Sequence, residues 1–171
     1  MAIISSLEKD QVDDAARLVF EEFEKEAKNV PEWVKVMAHS PRIVKEFTEL
    51  FKSIMGSGDV NPYLKWKIGY TVSQLLKCPF CVDVTEKMLK KFGADDKLIK
   101  NIKEKKKLSE KEERILGLVK DITEDAHLDN PSLINELKKE FTEAQIVEIV
   151  SVIGLFNYIN RFNNTLAILP K

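Results

Sequence analysis

Cys78 and Cys81 are the only cysteines in the chain, and they stand together as one Cys-x-x-Cys. Thiols at this spacing can hold a metal, exchange with a disulfide or reduce a peroxide, and the surrounding sequence separates these chemistries. Structural zinc asks for four ligands, so the pair would supply half a site. The other half would have to come from His39 and His127, each of which stands alone. A thioredoxin-type dithiol follows a strand and opens a helix within a βαβ unit. Here the preceding segment, Tyr63 to Leu76, has helical spacing, with Leu64, Ile68, Val72 and Leu75 on one face. The third reading is a dithiol at the start of a helix inside a helical bundle. Pro79 suits the first turn of such a helix, where no backbone donor is needed. Unpaired amides and the positive end of the helix dipole favour a thiolate there. A thiolate can attack a peroxide or a disulfide, and the second thiol can resolve the product. By the dipole argument Cys78, nearer the helix start, is the lower-pKa thiol. The bland alternative is two buried cysteines without chemistry.

The elements that must position this pair read as helices throughout. A first helix is expected over about residues 8–28, with Val12, Ala15, Ala16, Val19, Phe20 and Phe23 on one face. A short helix around Trp33 to Met37 follows. Ser40-Pro41 and Asn61-Pro62 each give an N-cap followed by proline at the first helical position. The helix from Pro41 runs toward Met55 and stops at Gly56-Ser57-Gly58. After Cys81, helical spacing resumes through Val82, Val84, Met88 and Leu89 to Gly93, with a further short helix near 95–103. The lysine-rich stretch Lys103 to Lys107 reads as a solvated connection. Ser109 to Glu112 has the form of a capping box, Asn130-Pro131 opens another helix through Lys139, and Thr142 to Gln145 caps the last long helix. That helix carries Ile146, Ile149, Val150, Ile153 and Phe156. The phenylalanines Phe20, Phe23, Phe47, Phe51 and Phe156 sit at helical spacing and read as core or subunit interface. The expectation is a single all-α domain over residues 1–171.

Bulk properties narrow the function. Of the 171 residues 44% are apolar and 32% charged, a globular balance, and 27 basic against 28 acidic residues give a net charge of −1. That near-neutral, interspersed charge offers no footprint for a nucleic acid. The longest apolar stretch, Ile146 to Ile159, is broken by Glu148 and Asn157 and is too short to span a bilayer. No targeting segment precedes Glu8, so the expected location is cytoplasmic. No glycine-rich phosphate loop or ligand cluster is present, so no metal, flavin or nucleotide cofactor is expected.

The stretch from Leu64 to Cys81 resembles the core of the alkyl hydroperoxidase D-like (AhpD-like), or carboxymuconolactone decarboxylase, family. In that family a helix ending in Val-Ser is followed, after a short gap, by Cys-x-x-Cys and a second helix closing near a glycine. Val72-Ser73, Cys78, Cys81 and Gly93 occupy those places. The segments Phe141 to Glu148, Phe156-Asn157 and Asn160 to Asn163 resemble the family's C-terminal part, so the likeness covers most of the chain from about residue 40. The resemblance implies an AhpD-like helical bundle with a pseudo-repeat of helices, assembled as a homo-oligomer. A shift of 82 residues lays Cys78 over Asn160 and Cys81 over Asn163, by pattern rather than identity. It also implies a peroxidase-type, antioxidant dithiol oxidoreductase in which Cys81 attacks the peroxide and Cys78 resolves the product. Substrates would be hydroperoxides or oxidised thiols, with reduction by an external dithiol or protein.

The chain departs from the family's proton relay. Peroxidase members place a glutamate twelve residues before the first cysteine and a histidine four after the second, where this chain has Trp66 and Thr85. General acid–base help contributes roughly a hundredfold to ten-thousandfold in rate, so a dithiol without it would turn over slowly. Thr85 could still donate a hydrogen bond. Glu148 is a candidate substitute across the pseudo-repeat or a subunit interface, against a carboxylate simply paired with Arg161 or a lysine. Glu86 is a second candidate, against an inert surface charge. His39 and His127 read as exposed. Two alternatives to the enzyme remain: a non-enzymatic assembly or binding module on the same fold, and a carboxymuconolactone decarboxylase-like enzyme.

Overall fold

The computed structural model of the protein describes residues 2–104, 106–125 and 132–170. Among them are nine α-helices and no strand: α1 Asp14–Ala27, α2 Glu32–Met37, α3 Pro41–Met55, α4 Pro62–Leu75, α5 Pro79–Lys91, α6 Asp96–Glu104, α7 Glu110–Asp125, α8 Ser132–Leu137 and α9 Glu143–Thr165. The all-α expectation holds, and most boundaries fall where the caps place them. Asn61 accepts from the Tyr63 amide at 2.8 Å, and Thr142 and Gln145 form a reciprocal capping box. Ser109 and Glu112 do the same at α7. Ser40 occupies the expected N-cap position of α3, but its side chain makes no capping bond there. His127 and the Asn130-Pro131 start signal lie outside the described residues.

The first helix differs from its expected span. Residues Lys9–Gln11 form a short 3-10 turn, Val12 is extended and buried, and Asp13 caps α1 by accepting from the Ala16 amide at 2.9 Å. An aspartate at this place satisfies an orphan donor that helix continuation from residue 8 would not need, so it starts the helix anew.

Helix α4 is the axis of the packing, in contact with α5, α6, α7 and α9, while α3 joins α1 and α2 to α9. Every residue from Lys65 to Ser73 is buried, which includes two lysines. Lys65 donates to the carbonyls of Ile54 and Gly56 at 2.8 Å each and pairs with the Glu148 carboxylate. The other Glu148 oxygen accepts from the Asp59 and Val60 amides at 2.9 Å. One buried ammonium thus satisfies the orphan carbonyls at the end of α3 and ties that turn to α9. Lys67 pairs similarly with Glu112 of α7. Gly69 lets α9 come close: a Cβ there would overlap the ring of Phe156. No helix among the described residues is long and apolar enough to cross a membrane.

Candidate functional site

The turn between α4 and α5 builds the site. Helix α4 ends with Lys77 in the left-handed region at φ 52°. The Cys78 amide then donates back to the Ser73 carbonyl at 3.2 Å, and the Leu76 amide to Val72 at 2.9 Å. This closure is Schellman-like, although its left-handed position is usually glycine. It delivers Cys78 as the N-cap of α5 with Pro79 at the first helical position, as the spacing predicts. The Cys78 sulfur accepts from the Cys81 amide at 3.3 Å. The two cysteines form a disulfide with their Cα atoms 5.3 Å apart.

The two sulfurs differ in access. Cys78 is 0% exposed and Cys81 is 4% exposed. Only Cys81 borders a pocket of about 60 Å³ walled by Trp33, Phe51, Trp66, Phe80, Phe156 and Ile159, with Val84, Thr85 and Asn163 completing it. The aromatic rings form a connected wall, with centroids of Phe51 and Trp66 6.4 Å apart and of Trp66 and Phe156 6.0 Å apart. Phe51 and Phe156, expected as core or subunit interface, thus also line the pocket.

Among the described residues no relay group reaches this pocket. Trp66 stands in its wall, where it packs. Thr85 donates to the Cys81 carbonyl at 2.7 Å, so its proton is committed to the backbone of α5. Glu148 does not approach the cysteines; Lys65 holds it, as the simpler reading has it. Burial pushes its carboxyl pKa up, but the Lys65 ammonium and the Val60 and Asp59 amides outweigh this and leave it below the ordinary value. Glu86 pairs with Lys90 at 3.1 Å outside the pocket. His39 is exposed and donates to the Ser5 carbonyl at 2.8 Å. The pocket walls supply no further zinc ligand to the cysteine pair.

What does reach Cys81 is Asn163, whose side-chain amide donates to the sulfur at 3.3 Å. Its neighbour Asn164 donates to the Leu76 carbonyl at 2.9 Å, so two successive asparagines of α9 grip the turn that carries the cysteines. The 82-residue correspondence does pair the residues that touch, Cys81 and Asn163. Their local structures differ, however. Cys78 and Cys81 start a helix, whereas Asn160 and Asn163 lie within α9, which continues to Thr165. The closer parallel is at the helix ends: Ala167 is left-handed at φ 53°, and Ile168 donates to Asn163 at 2.9 Å as Cys78 does to Ser73. A signal for Asn163 exists in the sequence. It stands seven residues after Phe156 on the apolar stripe of α9, where a polar side chain needs a reason.

A wider cleft of about 620 Å³ lies between α3 and α9, lined by Ile43, Phe47, Leu50, Leu155 and Tyr158 among others, and includes no cysteine.

The whole architecture matches solved structures. An uncharacterized peroxidase-related protein from Ralstonia eutropha JMP134, described as an alkylhydroperoxidase AhpD core, superposes with a TM-score of 0.89 at 19% identity, covering 99% of this chain and 92% of that one. This is the AhpD-like fold. A peroxidase-related protein from Silicibacter sp. TM1040 gives 0.87 at 20% identity, over 99% of this chain and 92% of its own. The debrominase Bmp8, as a cysteine-to-alanine variant bound to 2,3,4-tribromopyrrole, gives 0.82 at 20% identity, over 98% and 90%. AhpD-like structures thus include proteins with different chemistries. No protein-family model and no curated protein matches the sequence.

Proposed function

We propose that the protein is a dithiol oxidoreductase of the AhpD-like kind that reduces hydroperoxides with Cys81 as the attacking sulfur and Cys78 as the resolving one. The observation that carries this reading is the asymmetry of access: Cys81 borders the pocket, and Cys78 is sealed behind it at the N-cap of α5. The dipole of α5 favours a thiolate at either position, but a nucleophile must also meet its substrate. In the reduced protein the Cys81 thiolate attacks the terminal oxygen of the hydroperoxide. The O–O bond breaks, a sulfenic acid forms on Cys81, and the alkoxide takes the proton of the Cys78 thiol. The Cys78 thiolate then attacks the Cys81 sulfur, forming the disulfide and expelling hydroxide, which is protonated by solvent. Two electrons leave the sulfurs and one alcohol forms per disulfide. An external dithiol or protein reductant returns the pair to the reduced state. Aromatic walls and the lack of a charged lining group suit an uncharged hydroperoxide, of which a pocket of about 60 Å³ takes the peroxide end.

The test is cumene hydroperoxide consumption in the presence of a dithiol reductant. The wild type turns over, Cys81→Ser is silent, and Cys78→Ser reacts once but does not cycle through an intramolecular disulfide. Turnover no greater than that of the double serine variant overturns the reading and leaves a non-enzymatic module on the same fold.

A further inference from the structure

Asn163 carries a feature that its contact with Cys81 does not use. It is buried at the pocket, its amide nitrogen donates to the Cys81 sulfur, and its carbonyl oxygen has no hydrogen-bond partner among the described residues. Leaving a buried acceptor unmade costs about 1–3 kcal/mol, so such an atom asks for a partner. The Asn160 oxygen is in the same state, but only Asn163 lines the pocket beside Cys81. Among the described residues Asn163 is also the pocket's only side-chain carboxamide. Thr85 has its proton on the Cys81 carbonyl, and the indole nitrogens of Trp33 and Trp66 can only donate.

We propose that Asn163 is the hydroperoxide-binding group of the site: its amide N–H holds the Cys81 sulfur while its free carbonyl oxygen accepts the substrate's terminal O–H. This rests on the dithiol reading above and selects between its two substrate classes. A hydroperoxide has an O–H to give and a disulfide has none, so the orphan oxygen is satisfied only by the former. The carboxamide then presents the terminal oxygen to the sulfur that attacks it, and its N–H favours the thiolate. Attack forms the S–O bond and breaks the O–O bond. Asn163 gives up no proton and takes none, which fits a group without an accessible pKa. It therefore offers binding and orientation where Glu and His relays offer proton transfer.

The experiment compares wild type with Asn163→Leu, which keeps the branching and removes both hydrogen bonds, and Asn163→Asp, which is nearly isosteric, loses the donor and keeps an acceptor. Reduced proteins are mixed with cumene hydroperoxide and, separately, with a small aromatic disulfide, and the pH profile of Cys81 alkylation gives the thiolate fraction. Far-ultraviolet circular dichroism confirms folding; should the Leu variant fail to fold, Asn163→Ala, which also removes both hydrogen bonds, carries the comparison. Compared at equal thiolate fraction, Asn163→Leu should lose about a hundredfold in the hydroperoxide rate, the scale of removing one hydrogen bond at a reacting atom, whereas Asn163→Asp, which keeps an acceptor, should lose far less. The disulfide rate should change less than threefold, and the alkylation midpoint should rise. In the variant without the acceptor, equal loss toward both oxidants, or no loss toward hydroperoxide, overturns the assignment. A wild type that reduces the disulfide but no hydroperoxide overturns the anchor and the hydroperoxide reading, and leaves thiol–disulfide exchange at the cysteine pair. A wild type inert to both overturns the dithiol reading and the anchor together.

Discussion

Asn163 donates to the sulfur of Cys81 at 3.3 Å across 82 residues of sequence, joining the end of α9 to the start of α5. The contact depends on how closely α9 approaches α4, which Gly69 sets. Giving residue 69 a Cβ forces it into the ring of Phe156, one turn of α9 before Asn160 and two before Asn163. Gly69→Ala should therefore destabilise by about 1–3 kcal/mol, an overpacking effect. It should also slow the oxidation of Cys81, because Phe156 lines the same pocket. Gly154 of α9 is the control: it is exposed, and a Cβ there meets nothing within 4 Å. Gly154→Ala should stabilise by about 0.5–1 kcal/mol through helix propensity. Urea unfolding of both variants reads the contrast, and equal effects would contradict it.

Lys65 is a second point of failure. Its ammonium is fully buried against Glu148 and two carbonyls. Lys65→Met should cost about 3–5 kcal/mol, because it leaves a carboxylate and two acceptors without their cation. Combining it with Glu148→Gln should cost less than the sum of the two single changes, since the pair acts as a unit. Additive losses in urea unfolding would show that the two side chains are independent.

Glu148 and Glu112 also set a pH dependence. For both, burial pushes the pKa up, but their lysine partners and backbone or serine donors outweigh it, and the folded pKa lies below the ordinary 4.5. A depressed carboxylate contributes stability that is fully present above the unfolded pKa and is lost as pH falls through the folded one. Tm should be flat with respect to these two groups near neutrality and should fall once the pH drops below about 4.5, the unfolded value for such a carboxyl. In Lys65→Met the acid loss should shrink, because Glu148 no longer has its partner. An acid limb unchanged in that variant would assign it to other carboxylates.

Thr85 separates the proton-relay reading from the present one. Its hydroxyl donates to the Cys81 carbonyl at 2.7 Å and to Val82 at 3.2 Å, so it has no proton to offer a leaving alkoxide. Thr85→Val keeps the shape and removes that local bond, worth about 1 kcal/mol at most here. Hydroperoxide consumption should stay within twofold of wild type. A loss of a hundredfold, in the range of general acid catalysis, would make Thr85 the missing acid.

Much of this was legible in the residues, for local reasons. Asn61, Thr142 and Ser109 announce helix starts because capping is a contact over two or three residues. Cys78-Pro79 likewise announces the start of α5. The buried lysines of α4 were not legible, since nothing local distinguishes them from surface lysines. Their partners, Glu148 and Glu112, come from distant helices that the one-face pattern of α4 does not reveal. The break at Val12 escaped because the apolar spacing runs on unbroken through Asp13. Asn163 was visible as one member of a pattern, yet its contact with Cys81 required the approach of α9 that Gly69 permits.

The central claim is that one hydroperoxide converts the reduced Cys78–Cys81 pair into a disulfide and one alcohol. Intact-protein mass spectrometry and thiol titration after mixing reduced protein with one equivalent of cumene hydroperoxide test it most directly. The expected result is the loss of two hydrogens and of both titratable thiols, matched by one equivalent of cumyl alcohol, and in Cys78→Ser a gain of one oxygen on Cys81. Unchanged mass with both thiols still titratable would contradict it.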